Sequence, residues 1–522
     1  MHLDLQQADA DTARDADICV IGSGAAGLTA ARRLLALGRS VTLLESGGLD
    51  HEPAVAALGA GENLGEPYYP LDHARLRFFG GTTAIWGGRI ARLDPIDFEV
   101  RDWVPNSGWP FGAETLEPWY EQARAVFDLP PVATGPDDLR RAAALPDFDP
   151  ARLQLGLWEF DGKFNRFTFD ACGDLAAHPR CTVVTHATVT QIALAAGGGG
   201  VERVIARSLS GRTLTLRPRE VVLAAGGIEN PRLLLASGIG GDQVGRYFME
   251  HPHGRGGRIV GGAAWSLLRA FARSHRVGRE KVAAMIALSA DRQAELRVLN
   301  SSLTIAARQP VGTRQFWGMR AYEGVKHRMA PTRRGRGLWM TTKRLATFAQ
   351  RHVDPLRPWL LHRAGLLDLA LVLRAEQAPN PDSRVLLSRE TDALGVPRAA
   401  LDWRTTPLDV ESAAGLVSTL AAEAQRLGLG RVEPAPWLAC PEDGWRTDPL
   451  ISVHPIGGYH HMGTTRMSDD PKRGVADAFG RVHGVENLHI VGSSVFPTSG
   501  WANPTLTIVA LALRTAERVA GR

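Results

Sequence analysis

Four cysteines in 522 residues, at positions 19, 172, 181 and 440, are too few and too scattered to frame a disulfide scaffold. With no such scaffold to require an oxidising compartment, a reducing cytoplasm is expected. No window reaches the roughly 18 uninterrupted apolar residues of a membrane span. The first sixteen residues are polar and acidic and lack the basic-then-apolar pattern of a secretory signal. Neither cysteine nor carboxylate stands at ligand spacing beside the clustered histidines, so no metal site is expected. What remains, 44% apolar and 22% charged residues, is the composition of a globular enzyme, too long for one ordinary core.

The net charge of +5 is unevenly spread. Residues 314–363 hold twelve Lys/Arg against two Asp/Glu, a local balance of +10, so the rest of the chain is mildly acidic. Trp317, Trp339, Phe348 and Trp359 interleave these cations. Two readings stand for this stretch. One is a solvated helical insertion over a substrate entrance; the other is a surface for a protein, an anionic ligand or membrane headgroups. Nucleic acid is not expected, because no nucleic-acid module accompanies the charge.

Near the N-terminus, Ile18 to Ile21 reads as a buried parallel strand. Gly22, Gly24 and Gly27 then fill G-x-G-x-x-G. The first glycine permits a tight turn, the second lets backbone approach a pyrophosphate, and the third lets helix and strand pack closely. Ala25 and Ala26 open an Ala/Leu-rich helix to Leu37, whose free N–H groups suit a diphosphate. A second strand, Ser40 to Leu44, delivers Glu45 to where a ribose hydroxyl is expected. The motif alone does not separate NAD from FAD.

Three further stretches carry chemistry. Gly80 to Gly88 (GGTTAIWGG) is a glycine-dense loop able to approach a flat ring or a diphosphate. Glu220 to Ala225 is an apolar strand, and the turn after it, Ala224 to Gly227, precedes a helix expected over Asn230 to Ala236. Thr182 to Ile192 and Val201 to Leu216 alternate as sheet strands do. Toward the C-terminus stand Tyr459-His-His-Met-Gly-Thr464 and Trp501-Ala-Asn-Pro-Thr-Leu-Thr507. His460 and His461, being consecutive, are expected on opposite faces, which argues against a shared metal. Asn503 before Pro504 could also cap the helix that follows.

These motifs together resemble the glucose–methanol–choline (GMC) family of FAD-dependent oxidoreductases. Residues 255–375 resemble it only weakly, and the C-terminal run is most similar to the pyranose oxidase and glycoside oxidase branch. The resemblance implies an α/β fold with a discontinuous Rossmann-like FAD-binding domain (1–100, 178–250 and 455–522). A cap region (101–177) and a sheet-based substrate domain (251–454) make up the rest. It implies non-covalent FAD, because Ile85 occupies the position where some relatives attach flavin through a histidine. Gly492 stands where many relatives carry an acid.

The resemblance also makes His460 the catalytic base and Asn503 its partner. Beyond the fingerprint and Glu45, it places Gly81, Thr82, Trp86, Gly87, Val189, Ala225, Gly226, Gly492, Ser493, Asn503, Pro504 and Thr505 against the cofactor. The implied reaction is oxidation of a secondary alcohol of a sugar or glycoside, with oxygen or another electron acceptor. A non-sugar alcohol such as a sterol is the alternative substrate, and a non-catalytic flavin-binding protein the alternative class.

Overall fold

The computed structural model describes residues 1–131, 134–163, 165–316 and 354–522, with isolated residues between 332 and 348. Most of the basic stretch 314–363 therefore lies outside the described residues. The architecture is α/β and is organised on two large sheets and a small one.

The first sheet runs in the order His2–Asp4, Cys181–Thr185, Val41–Leu44, Thr12–Ile21, Thr213–Leu223, Val201–Arg207, Thr188–Leu194. Its first four pairings are parallel, and Leu488–Ile490 adds to Val221, Val222 and Leu223, also in parallel. The β-branched runs Ile18 to Ile21 and Val221 to Leu223 are buried because helices cover the sheet. The helices Ala25–Ala36 and Thr505–Ala520 pack on one another there, with Glu117–Val126 against the second. Four parallel strands thus end side by side, each delivering a site segment at its carboxyl end: Glu45, Gly22, Ala224 to Gly226, and Gly492. Such an edge is where open α/β sheets bind ligands.

The strands differ from the sequence reading in extent. Thr12–Ile21 starts six residues before the apolar run, because its polar half pairs with Leu214 to Pro218. The expected strands 182–192 and 201–216 each divide at a turn, at His186 (φ +52°) and at Gly211 (φ +89°).

The second sheet is antiparallel, in the order Arg431–Pro434, His253–Val260, Asp368–Arg374, Ser302–Arg308, Glu280–Leu288, Leu153–Phe160, Arg89–Ile90. The alternation of each strand sends Leu369, Leu371, Leu373, Leu303 and Ile305 into a core shared with the helices Pro407–Arg426 and Ala264–Phe271. The opposite face carries Trp158, Thr304, Arg308 and Arg374 and looks into a cavity. The hairpin Arg384–Thr391 with Pro397–Asp402, extended by Gly61–Asn63, is the third sheet. Cys19, Cys172 and Cys181 are buried free thiols, and Cys440 is a half-buried one.

Candidate active site

One cavity of about 2790 Å³ runs from the carboxyl edge of the first sheet to the open face of the second. At the first sheet the backbone builds the walls. Gly22 takes φ +101°, and a Cβ on Gly27 would lie 1.9 Å from the Gly22 carbonyl oxygen, so only glycine allows this turn and helix to touch. Gly24, the residue before the helix, makes no side-chain cap, which leaves the first N–H groups for a ligand. At Gly24, Gly87, Gly226 and Gly492 nothing lies within 4 Å of an added Cβ. The cradle is thus open at four glycines. The Trp86 indole N–H on the same wall has no hydrogen-bond partner in the protein. Glu45, 5% exposed, accepts from the Ser23 backbone N–H (3.1 Å) and hydroxyl (2.5 Å) through one oxygen, and from the Gly47 N–H (2.9 Å) through the other. This set fits a dinucleotide cofactor: free amides for the diphosphate, an aimed carboxylate for a ribose, and open backbone for a flat ring.

The sequence-predicted residues Gly22, Gly24, Ala25, Ala26, Glu45, Gly81, Thr82, Trp86, Gly87, Val189, Ala225, Gly226, Gly492, Ser493, His460, Asn503, Pro504 and Thr505 all line this cavity. Gly27 does not. It packs against Gly22 and Ala224, so its part is to let the helix approach the strand rather than to touch a ligand.

At the other end histidines converge. Asn503 Nδ2 lies 3.3 Å from His460 Nε2, and His460 Nδ1 lies 2.8 Å from His251 Nδ1. His251 Nε2 is 3.4 Å from the Ser499 carbonyl, which can only accept. His251 therefore carries its proton on Nε2 and accepts on Nδ1. It follows that His460 donates through Nδ1–H and leaves Nε2 unprotonated, where it accepts from the Asn503 amide at the cavity wall. Asn503 makes no cap bond: Pro504 precedes the helix and the amide turns to His460.

Glu250 fixes the loop that carries His460. Its carboxylate accepts from the N–H groups of His460 (2.9 and 3.0 Å), Gly458 (2.9 Å) and His251 (3.0 Å), and from the Tyr68 hydroxyl (2.5 Å). A Cβ at Gly457 would lie 2.5 Å from the Glu250 side chain, so this loop closes tightly on it. His461 points elsewhere: its Nε2 donates to Tyr68 Oη at 3.0 Å and its ring lies against Phe248.

Burial pushes His460 well below the ordinary histidine value, helped by His251, His253, His461 and the Arg374 charge. Burial likewise lowers His251 to about 4 and His461 to about 3. The cluster is neutral at pH 7, as a proton acceptor must be.

Sequence reasoning missed Glu250, His251, Tyr68 and Arg374. The run Glu250-His-Pro-His253 was the available signal, because two histidines two apart in an extended segment share a face. Among the described residues, no cluster of His, Cys, Asp or Glu could hold a metal, and no helix is long and apolar enough to cross a membrane.

Known proteins resemble this chain in sequence and in fold. Residues 379–512 match the family described as GMC oxidoreductase, and residues 17–244 match that described as FAD dependent oxidoreductase. The chain is 29% identical to the 6'''-hydroxyparomomycin C oxidase of Streptomyces lividus, covering 97% of this chain and 91% of that one. It is 27% identical to the paromamine 6'-oxidase of Streptomyces fradiae over the same shares. A shorter match, 28% identical over 30% of this chain and 25% of the other, is to the pyranose 2-oxidase of Tricholoma matsutake. In fold it is similar to the crystal structure of pyridoxine 4-oxidase from Mesorbium loti (TM-score 0.57, 16% identity, 97% of this chain and 99% of that one). The chain carries a GMC oxidoreductase C-terminal domain and an FAD-dependent oxidoreductase domain, and is an FAD-dependent oxidoreductase of CH–OH groups.

Proposed function

We propose that this enzyme oxidises a ring hydroxyl of a sugar or glycoside to a ketone, with His460 as base and Asn503 as its partner. The observation that carries the reading is the unprotonated Nε2 of a neutral His460, which accepts from the Asn503 amide at 3.3 Å on the cavity wall. Bound FAD supplies the acceptor for the hydride leaving the carbinol carbon. His460 Nε2 takes the hydroxyl proton, while Asn503 holds the hydroxyl oxygen without competing for that proton. His251 accepts from His460 Nδ1–H throughout, so the imidazolium formed keeps its orientation. Oxygen or another acceptor then takes the two electrons. Residues 1–100, 178–250 and 455–522 form the cofactor half in this reading, and 101–177 with 251–454 the substrate half. Arg89–Ile90, which pairs in the second sheet, is the point where the first segment crosses over. With no side-chain nucleophile at Ile85, FAD is held without a covalent bond there.

A second reading has its own support. Two of the relatives matched over almost the whole chain are named for positions 6' and 6'''. In a hexopyranose that number is the exocyclic carbon, whose oxidation gives an aldehyde instead of a ketone.

Anaerobic stopped-flow reduction of the bound flavin by a panel of sugars, glycosides and other alcohols tests both, with the carbonyl product identified. His460→Ala should keep FAD and slow reduction by about 10²–10⁴-fold, whereas His461→Ala should do far less. If His461→Ala were the crippled variant, the base would be misassigned. A flavin that no alcohol reduces would favour a binding protein, and reduction by a sterol alone would remove sugars from the proposal.

A further inference from the structure

The second sheet brings three arginines to the cavity from three strands: Arg89, Arg308 and Arg374. The guanidiniums of Arg89 and Arg374 each lie 4.8 Å from the ring centre of the buried Trp158, which holds two like charges against one aromatic side chain. Arg308 donates only to backbone, from Nε to the Ile451 carbonyl (2.5 Å) and from Nη1 to the Ala307 carbonyl (2.9 Å). Arg374 Nη1 is buried with no hydrogen-bond partner. Among the described residues, no carboxylate forms an ion pair with any of the three. Other arginines of the cavity wall do have carboxylates: Arg166 has Asp161 at 2.7 Å, and Arg232 has Asp392 at 2.7 Å.

We propose that the substrate carries an oxyanion, a carboxylate or a phosphate, that seats among Arg89, Arg308 and Arg374. This rests on the reading that the cavity takes an alcohol beside His460. Guanidinium stays charged at neutral pH and presents a planar fork of donors matched to oxyanions. Burial, then Arg89 and Arg308, holds Arg374 well below its ordinary value. Burial, then Arg255 and Arg89, brings Arg308 down to about 10. An arriving oxyanion relieves this mutual repulsion and satisfies the orphaned Nη1 in one step. The cofactor's diphosphate has its own amide cradle at Gly24, on the first sheet. The Arg374 charge instead reaches His251, His253 and His460, at the catalytic end. The same cations disfavour a substrate whose contact group is an ammonium.

The test is calorimetric titration of the oxidised, FAD-loaded enzyme with inorganic phosphate and, separately, with malonate, at ionic strength matched by sodium chloride. Saturable binding of at least one anion is expected. It should weaken at least tenfold in Arg89→Met and in Arg374→Met, and be partly kept in Arg374→Lys. Phosphate binding alone would point to a phosphate ester, malonate binding alone to a carboxylate, and both to an oxyanion seat that takes either. The Met variants should keep their FAD and melt no lower than wild type, since each removes an uncompensated charge. The proposal is overturned if neither anion binds wild type, or if both Met variants bind as wild type does. Loss of FAD from both variants would also overturn it, by assigning these arginines to the cofactor. No turnover is involved, so a failure of alcohols to reduce the flavin would sink the catalytic reading and leave this result untouched.

Discussion

Two groups of three arginines border the same cavity and are treated in opposite ways. Arg75, Arg77 and Arg232 close on Glu229 at 2.7, 2.7 and 3.0 Å, and Arg232 also reaches Asp392 at 2.7 Å. Arg89, Arg308 and Arg374 close on nothing acidic among the described residues. In the first group the three cations hold the Glu229 carboxyl far below the usual range despite its burial. Burial lowers Arg75 of the first group to about 10, but Glu229 pulls it the other way; in the second, burial and like charge lower Arg308 and Arg374 with no such offset. A protein that can supply a buried carboxylate in one place and withholds it in another has left the second charge for something that comes and goes. The paired group is scaffold; the unpaired group is a receptor.

Breaking the paired group should have the largest effect. Glu229→Gln leaves three cations around one remaining acid and should destabilise the fold by about 3–5 kcal/mol, read by denaturant unfolding of the FAD-loaded enzyme. A loss below about 1 kcal/mol would erase the contrast between the two groups.

Next in size is the histidine pair that the unpaired group overlooks. His251→Phe removes the acceptor for His460 Nδ1–H, frees the ring to flip its tautomer, and should slow flavin reduction by about 10²-fold with FAD retained. A role confined to packing would lower the melting temperature while leaving the rate and its pH profile as in wild type.

Protonation gives a graded third test. The folded values of His251, His253, His460 and His461 lie below the ordinary 6.5, so the unfolded chain binds more protons there. Their contribution to stability is complete above about pH 6.5 and is lost as pH falls, by up to about 1.4 kcal/mol per pH unit for each histidine. Unfolding curves from pH 7.5 to 5 should show that slope, and a flat profile would mean the cluster takes up protons at the same pH folded as unfolded.

At saturating substrate, the smallest effect on the reduction rate should come from Arg374→Met. Removing a cation that depresses His460 should move the acid limb of the reduction rate upward by a few tenths of a pH unit. A limb that stays in place would separate Arg374 from the catalytic base.

What could be read from the sequence follows the distance between cooperating residues. The glycine turn and its acid were legible because Gly22 to Glu45 is one strand, one helix and one strand, each with its own local pattern. His460 and Asn503 are 43 residues apart and were reached through resemblance, since neither carries a local pattern of its own. The extent of Thr12–Ile21 was missed because its polar half is held by pairing rather than by burial. His251 had one local sign, the spacing of Glu250-His-Pro-His253; nothing announced the three arginines. They come from separate strands of an antiparallel sheet, and only register brings them to one wall.

The short strand Leu488–Ile490 joins the centre of the first sheet, against Val221 to Leu223, and leads into Gly492, Ser493 and Asn503. In the order of synthesis, then, this wall of the cavity is made long after the glycine turn that it faces. The glycine turn at Gly22 leaves the ribosome hundreds of residues before the segment that completes its pocket. Translation at about 5–20 residues per second makes that a wait of tens of seconds. A chain stalled or truncated before residue 488 would therefore carry the glycine turn without the wall that Gly492, Ser493 and Asn503 supply.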